Sequence, residues 1–314
     1  MEKTRVVFVH KQGHVHFGAK VMRCDQMAQI SSRYLGGKYT FEIASPPKKK
    51  FAVRQRRFAK GCSDAIVILL KNAAQSFTPE ALDILRRSAR GVCIDHVDAP
   101  INSETLGLPD VHIAASRKSE MLLKKRLEDN KAIRSGITVA HLCHHADPRL
   151  VAASDTPDKL EIGYFGNIGN TLLPAQYEKD VHVYPFTKTD EFSSVLRHFQ
   201  DSRLHYGVRG ASARPAIERR MAKPFTKVFN AAAVGANILV NRQVDDAIHY
   251  LGDDYPYLVD DLTEQSNGER IDFARSSYGG PDWQRGLNVM ADVREKSSPA
   301  AEAREMEQIL AVFN

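Results

Sequence analysis

Short apolar runs alternate with segments of helical periodicity through the first half of the chain. Runs this short and continuous are typical of buried strands in parallel sheets. They lie at residues 6–9, 39–43, 65–70, 92–94, 111–114 and 137–142, and the helical segments between them lie at residues 19–34, 79–89 and 117–130. Thr78-Pro79 and Ser116 are good N-terminal signals for the second and third helices. The alternation predicts a doubly wound α/β domain.

The pattern becomes polar and irregular after Leu142 and then resumes. We place a domain boundary after Asp147, so that the first domain covers residues 1–147 and the second covers residues 148–299. Five further apolar runs, at residues 160–165, 181–184, 205–208, 237–240 and 257–259, predict a second doubly wound domain. Residues 300–314 form a last predicted helix. Its apolar stripe consists of Met306, Ile309, Leu310 and Phe313, which indicates that it docks on another surface.

Composition narrows the class of protein. The chain has 314 residues, of which 43% are hydrophobic, and this is enough for two cores and excludes a disordered chain. No apolar run is long enough to span a membrane, and the first residues enter a strand-like stretch without the hydrophobic region and cleavage site of an export signal, so neither a membrane span nor export is expected. The four cysteines are far apart and form no CxxC pair, so neither a zinc cage nor a disulfide framework is expected. These features favour a cytoplasmic protein.

The excess positive charge is concentrated in one segment, residues 48–60. This segment holds seven basic residues and no acid, whereas the rest of the chain has 37 basic and 38 acidic residues. A local positive field steers an anionic partner to one face, so the candidate residues for binding such a partner are Lys48, Lys49, Lys50, Arg54, Arg56 and Arg57. The alternative is a solvated, mobile loop. The pattern does not distinguish nucleic acid, anionic lipid headgroups and an acidic glycan as the partner.

The segment at residues 222–240 predicts an anion site. Pro224 near its start and Gly235 near its end indicate a short, tightly packed helix that is followed by a buried strand. Free N–H groups at the start of this helix, together with Lys223, Thr226 and Lys227, suit a diphosphate. Open α/β sheets bind ligands at the carboxyl ends of their strands, where the polar residues after this strand lie.

A second glycine-containing segment follows the first strand of the predicted C-terminal domain. Gly163, Gly166 and Gly169 lie where the backbone must turn tightly and can approach a ligand closely. A plain strand-to-loop turn explains any one of these glycines equally well. The segment lacks both the GxGxxG dinucleotide fingerprint and the Lys-Ser/Thr of a P-loop.

In outline the whole chain resembles the GT-B glycosyltransferases. The resemblance is most specific at Ile162-Gly163-Tyr164-Phe165-Gly166-Asn167, at residues 223–240, at residues 245–257 and at residues 141–148. It implies two facing Rossmann-like domains, with a nucleotide-sugar bound in the C-terminal one, and a last helix that returns to the N-terminal domain. From the resemblance and from the anion site described above, we expect the donor-binding residues to be Gly166, Asn167, Arg209, Lys223, Thr226, Lys227, Asn230 and Asp245. It also implies that neither a metal nor another cofactor is required.

The sequence departs from the pattern of this superfamily at two places. Many retaining members have two glutamates flanking the start of the donor-site helix, where this chain has Lys223 and Asn230. The basic residue that such members often carry after the glycine-rich strand is replaced by Asn167, and Arg209 is our candidate for the displaced positive charge.

Sugar transfer also requires a group that removes the proton of the acceptor hydroxyl. The resemblance places acceptors on the N-terminal domain, so the six basic residues named above would bind the acceptor. Asp95 and Asp98 follow a buried strand of the same domain. A carboxylate beside apolar walls can have its pKa raised into a useful range, so Asp95 is the first candidate base and Asp98 the second. His14 and His16 follow the first strand and are further catalytic candidates. A metal would need a third ligand beside them, so none is expected.

These features together favour a glycosyltransferase that moves a sugar from a nucleotide-sugar to an anionic acceptor. The expected acceptor is a surface glycan or a lipid-linked saccharide, so the protein would work peripherally at the cytoplasmic face of a membrane. Three alternatives remain: a DNA glycosyltransferase of the phage type that acts on a modified base, a nucleotide-sugar epimerase, and a non-catalytic nucleic-acid-binding protein. The sequence indicates no oligomeric state.

Overall fold

The computed structural model describes residues 2–13, 18–101, 103–130, 135–152, 158–186, 189–210 and 222–314. The described residues form two compact units. The first contains the chain through His144, a short stretch that ends at Pro224, and Pro299–Asn314. The second begins at His145, is interrupted by that stretch, and ends at Ser298. Among the described residues, no helix is both long enough and apolar enough to cross a bilayer.

The first unit is built on a six-stranded sheet in the order β2-β1-β3-β4-β5-β6. Its strands are β1 (Thr4–Val9), β2 (Tyr39–Ala44), β3 (Ile66–Leu70), β4 (Gly91–Asp95), β5 (Val111–Ala114) and β6 (Thr138–His141). All neighbouring pairs are parallel. Every residue of β3, β4 and β5 is buried, which explains why these strands read as continuous apolar runs. The six predicted strands are therefore confirmed.

Helices cover both faces of this sheet. They are Pro79–Ser88, Ser103–Leu106, Arg117–Asp129, Ala52–Gly61 and a continuous helix that runs through Gly18–Lys20, Val21–Gln26 and Met27–Leu35, with π-helical geometry in its middle part. The predicted N-terminal signals are confirmed, because the Thr78 hydroxyl accepts from the Ala81 N–H at 3.3 Å and the Ser116 hydroxyl accepts from the Ser119 N–H at 3.1 Å. The mobile-loop alternative for the basic segment is wrong over Ala52–Gly61, which is helical.

The C-terminal helix, Pro299–Ala311, belongs to the first unit. Met306, Ile309 and Leu310 are fully buried in the same core as Val6 and Phe8 of β1. Its apolar stripe thus completes one face of the N-terminal sheet.

The second unit contains a five-stranded parallel sheet in the order β11-β10-β9-β7-β8. Its strands are β7 (Ile162–Phe165), β8 (Val181–Tyr184), β9 (Leu204–Tyr206), β10 (Asn237–Asn241) and β11 (Leu258–Val259). Its helices are Thr189–Asp201, Thr226–Ala233, Ala247–Leu251, Glu264–Ser276 and Pro281–Lys296. The prediction of two doubly wound domains is therefore confirmed.

Candidate functional site

The order of strands in the second sheet creates a crevice beside β7. The chain leaves β7 for β8 on one side and then crosses to β9 on the other side. Parallel sheets of this kind bind ligands at such a switch point, outside the carboxyl ends of the two diverging strands. Gly166 follows β7 and Arg209 lies shortly after β9. The sheet order therefore brings together two of the predicted donor-site residues that are far apart in sequence.

The helix Thr226–Ala233 begins without a side-chain cap. Phe225 occupies the N-cap position, and its carbonyl accepts from the N–H groups of Val228 and Phe229 at 3.0 and 3.4 Å. A helix start that no side chain caps keeps its partial positive charge available for an anion. Val228 and Phe229 are buried, so their packing fixes the position of the helix start.

Lys227 lies in the first turn of this helix, and its pKa is the most strongly shifted of any lysine or arginine described in the second unit. Its Nζ lies 3.7 Å from the centroid of the Tyr164 ring, which belongs to β7. Burial, and to a lesser extent the nearby positive charge of Arg209, lower the pKa of Lys227 to about 7. A negatively charged ligand would relieve both effects, because it would offset the repulsion and restore a partner to the ammonium group.

Gly166 leaves room for a ligand beside this lysine. Its φ is +130°, a conformation that favours glycine. A Cβ at this position would lie 4.0 Å from Lys227 Nζ and 3.9 Å from the Tyr164 hydroxyl. The absence of a side chain thus keeps the backbone next to Lys227 accessible at close range.

Hydrogen bonds fix the two loops that border the crevice. The Tyr164 hydroxyl donates to the Asn167 carbonyl at 2.6 Å, and the Asn167 side chain accepts from the Gly169 N–H at 2.9 Å. On the other side, the Arg209 N–H donates to Asn241 Oδ1 at 2.9 Å. Asn167 therefore shapes the loop after β7, whereas its own side-chain oxygen is used locally.

The other predicted donor-binding residues differ in their exposure and in the unit to which they belong. Thr226 is partly exposed in the same helical turn. Asn230 is buried, and its Oδ1 accepts from the Asp147 N–H at 3.2 Å within the second unit. Asp245 is partly exposed in the loop after β10. Lys223 belongs to the stretch that groups with the first unit. Their roles in donor binding stay predictions.

The structure places Asp95, the first candidate base, in a buried ion pair. Only 2% of the residue is exposed, and its Oδ2 accepts from Arg23 Nε at 2.7 Å. Arg23 comes from the π-helical turn, and its side chain is also buried. Glu302 of the C-terminal helix lies in the same cluster, and burial raises the pKa of this carboxyl well above its usual value. Asp95 thus holds a buried cation in place, and its role as a base is untested.

Asp98, the second candidate base, is more accessible. Its side chain is 41% exposed and forms an ion pair with Lys71, which follows β3. Lys71 and Val97 have φ values of +50° and +52°. Left-handed conformations are strained for side chains of these types, and such strain concentrates at functional sites. In the first sheet the switch point lies between β1 and β3, so Lys71 borders the crevice of that unit.

Two histidines of the first unit form a buried pair. His96 and His112 are buried, and their ring nitrogens are 2.8 Å apart. Burial lowers the pKa values of both, that of His96 to about 3, so both are neutral at pH 7. His14 and His16 lie outside the described residues. Within the described part of the chain, no group of three or more His, Cys, Asp or Glu side chains could hold a metal.

The predicted acceptor-binding residues cluster on the helix Ala52–Gly61 and the turn before it. Five of the six are exposed: Lys48, Lys49, Lys50, Arg54 and Arg57. Arg56 differs from them, because its Nη1 lies 3.0 Å from Glu80 Oε2. The structure thus brings these side chains to one surface of the first unit.

Sequence reasoning missed Tyr164 and Arg23 as components of these sites. Tyr164 was treated only as part of a strand, and its contact with Lys227 depends on how a distant helix packs. Arg23 carried a usable signal, because it lies four residues before Met27, on the apolar face of its helix. A charged residue at such a position predicts a buried partner.

The sequence matches no protein-family model and no curated protein. The fold, however, matches several solved structures over all or nearly all of their length. A glycosyltransferase from Rickettsia africae is 10% identical, with a TM-score of 0.67 over 100% of both chains. HepE from Anabaena in complex with UDP is 10% identical, with a TM-score of 0.62 over 98% of this chain and 100% of HepE.

A sucrose-phosphate synthase from Thermosynechococcus elongatus is also similar in fold. It is 10% identical, with a TM-score of 0.62 over 98% of both chains. The chain has the GT-B glycosyltransferase fold. This confirms the fold that the resemblance at residues 141–148, 162–167, 223–240 and 245–257 implies.

Proposed function

We propose that this protein is a glycosyltransferase that transfers a sugar from a nucleoside diphosphate sugar to an anionic acceptor. The observation that carries the proposal is Lys227: a partly buried cation at a helix start, beside Gly166 and Arg209, in the switch-point crevice of the second sheet. The helix start, the lysine and the arginine supply the positive charge that a diphosphate needs. HepE, which has the same fold, was solved with UDP and with UDP-glucose.

In the proposed reaction, the bond between the sugar and the diphosphate breaks and negative charge develops on the departing phosphate. Lys227 and the N–H groups of the helix start would stabilise that charge. These groups are fixed before the reaction by the packing of Val228 and Phe229, so little reorganisation is needed. The first unit would supply the group that receives the acceptor proton. Asp98 suits this role better than Asp95, because its carboxylate is accessible.

We propose that the acceptor is an anionic surface glycan or a lipid-linked saccharide, reached at the face of a membrane. The support for an anionic acceptor is the cluster of exposed lysines and arginines on the first unit. No metal or other cofactor enters this proposal. A DNA acceptor is the competing possibility, and incubation of the same donor with each class of acceptor distinguishes the two by product mass.

Nucleotide binding tests the proposal most directly. We expect UDP to bind the full chain in isothermal titration and Lys227→Ala to weaken this binding by about tenfold or more, because a charge-assisted contact is lost. Lys179→Ala is the matched control, since Lys179 is an exposed lysine of the same unit, and it should bind UDP like the wild type. GDP and dTDP are titrated in parallel. If none of the three nucleotides binds the wild type, the proposal fails.

A further inference from the structure

The basic segment presents apolar side chains among its cations. Phe51 is 41% exposed and Val53 is 69% exposed, although both are large hydrophobic residues. Around them lie six exposed basic side chains: Lys48, Lys49, Lys50, Arg54, Arg57 and Lys60. We call these eight residues the basic–apolar surface. Among the described residues, none of its six cations has a carboxylate partner within ion-pair distance.

Two of these cations lie close to the Phe51 ring. Lys50 Nζ is 5.2 Å and Arg54 Cζ is 5.0 Å from its centroid. The ring therefore makes cation–π contacts with two cations of this surface. Val53 lies in the first turn of the helix Ala52–Gly61.

A buried glutamine holds this surface rigidly on the first unit. Gln55 is fully buried, and its Nε2 donates to the carbonyls of Pro47 and Ser76 at 2.6 and 2.7 Å. Its Oε1 accepts from the Thr78 N–H at 2.7 Å. The turn before the helix and the turn after β3 are thus tied to the same side chain. The surface is preformed, so little conformational entropy is lost when a partner binds.

We propose that the basic–apolar surface docks on an anionic lipid bilayer, with Phe51 and Val53 inserted between headgroups and the surrounding cations on lipid phosphates. A bilayer offers negative charge above an apolar layer, which matches the arrangement of this surface. Nucleic acid offers phosphates and base faces. Base faces suit an aromatic ring such as Phe51, but they give an aliphatic side chain such as Val53 no stacking partner.

This inference extends the proposed function by naming the surface through which the enzyme reaches its acceptor. Vesicle binding requires neither donor nor acceptor. A negative result therefore overturns the docking proposal and leaves the donor site untouched, whereas a failure of UDP binding leaves the docking proposal standing.

Co-sedimentation of the full chain with lipid vesicles tests the docking. We expect binding to vesicles of mixed phosphatidylcholine and phosphatidylglycerol, and much weaker binding to phosphatidylcholine alone. The triple variant Lys48→Gln/Lys49→Gln/Lys50→Gln should lose about a hundredfold in vesicle affinity, since each cation near an anionic surface contributes about a fivefold factor.

The apolar residues give the sharper test. Val53→Ser and Phe51→Ser should each weaken vesicle binding by about tenfold, because less apolar surface enters the bilayer. Met121→Ser is the matched control: Met121 is 70% exposed on another helix of the same unit, and its replacement should not change vesicle binding. Circular dichroism and urea unfolding verify that each variant is folded.

The same variants are titrated with a short DNA duplex and with a single-stranded oligonucleotide. If the wild type binds DNA and does not bind anionic vesicles, the surface is a nucleic-acid interface and the proposal is overturned. Equal vesicle binding by the wild type, Val53→Ser and Phe51→Ser also overturns it. Loss of vesicle binding in both serine variants, with DNA binding unchanged, supports it.

Discussion

Individual side chains in this protein derive their chemistry from neighbours that are distant in sequence. Lys227 would be an ordinary exposed cation in an isolated helix. In the folded protein its side chain is buried against Tyr164 and lies near Arg209, so its pKa falls to about 7. Asp95 and Asp98 are three residues apart, yet one is enclosed with Arg23 and the other is partly exposed beside Lys71. The environment, more than the residue type, determines what each group can do.

The lowered pKa of Lys227 predicts a pH dependence of donor binding. Below pH 7 the amine is protonated, and above pH 7 it becomes neutral and loses its attraction for a diphosphate. The affinity for UDP-glucose should therefore fall several-fold as the pH rises from 6 to 8.5, an effect of up to about tenfold per pH unit. Isothermal titration across this range measures the change.

Lys227→Arg is the control for this pH dependence. A guanidinium stays charged throughout the range, so the affinity of this variant should be nearly independent of pH. UDP-glucose is the suitable probe because its diphosphate does not titrate in this range. A wild-type affinity for UDP-glucose that is constant from pH 6 to 8.5 would show that protonation of Lys227 does not determine donor binding.

The two candidate bases should respond differently to replacement by asparagine. Asp98→Asn should lower kcat by about a hundredfold or more, with little change in stability, because a proton acceptor is lost from an accessible position. Asp95→Asn should lower the free energy of unfolding by about 3–5 kcal/mol, because buried Arg23 loses its counter-charge. Turnover assays and urea unfolding measure the two effects. If Asp98→Asn keeps the native turnover, Asp98 is not the base.

Secondary-structure elements in this chain were predictable where their signals are local. The eleven strands follow from apolar runs, and two helix starts follow from Thr78-Pro79 and Ser116. No helix is predicted from the sequence at Ala52–Gly61, because this segment is rich in basic residues and only Gln55 and Ala59 are buried. Its position depends on the three hydrogen bonds of Gln55, whose partners at 47, 76 and 78 lie outside the helix.

The C-terminal helix is joined to the first unit by a carboxylate as well as by its apolar stripe. Glu305 Oε1 accepts from His141 Nδ1 at 2.8 Å, and Oε2 accepts from the Cys143 N–H at 2.7 Å. Burial acts to raise the pKa of Glu305, but these hydrogen bonds and the positive charge of Arg117 lower it overall. The resulting stabilisation is present at pH 7 and is lost as the pH falls below about 4.

Glu305→Gln should therefore destabilise the protein at neutral pH by about 1–3 kcal/mol, because a charged acceptor of two hydrogen bonds is removed. The matched control on the same helix is Glu307→Gln. Glu307 pairs with the exposed Lys38, and such surface pairs contribute little, so the control should unfold like the wild type. Urea unfolding at pH 7 compares the two variants. Equal stability of both variants would contradict the anchoring role of Glu305.

The described residues form two doubly wound units, and the sheet of each unit has a switch-point crevice of its own. In each sheet the strand order reverses once, between β1 and β3 in the first and between β7 and β9 in the second. In the proposed function, the second unit binds the donor and the first unit binds the acceptor. Nucleotide should then affect the two units differently.

Hydrogen exchange should show which of the two units binds the nucleotide. Saturating UDP should slow amide exchange at residues 165–170, 208–209 and 226–231, because ligand binding stabilises the folded state around its site. Exchange at residues 48–60 should stay unchanged. Lys227→Ala at the same UDP concentration serves as the control and should show little protection. Protection that is confined to the first unit would contradict the assignment of the donor site.

The sequence alone determined the parallel sheets, the two-domain organisation and the lysine-containing helix start, because apolar periodicity and helix signals depend on residues within one or two turns. Only the tertiary structure decided which charges pair: Arg23 with Asp95 and Lys71 with Asp98. It also decided that Phe51 and Val53 are exposed among cations. These features depend on how distant strands and helices pack, and chain-local patterns carry no information about such contacts.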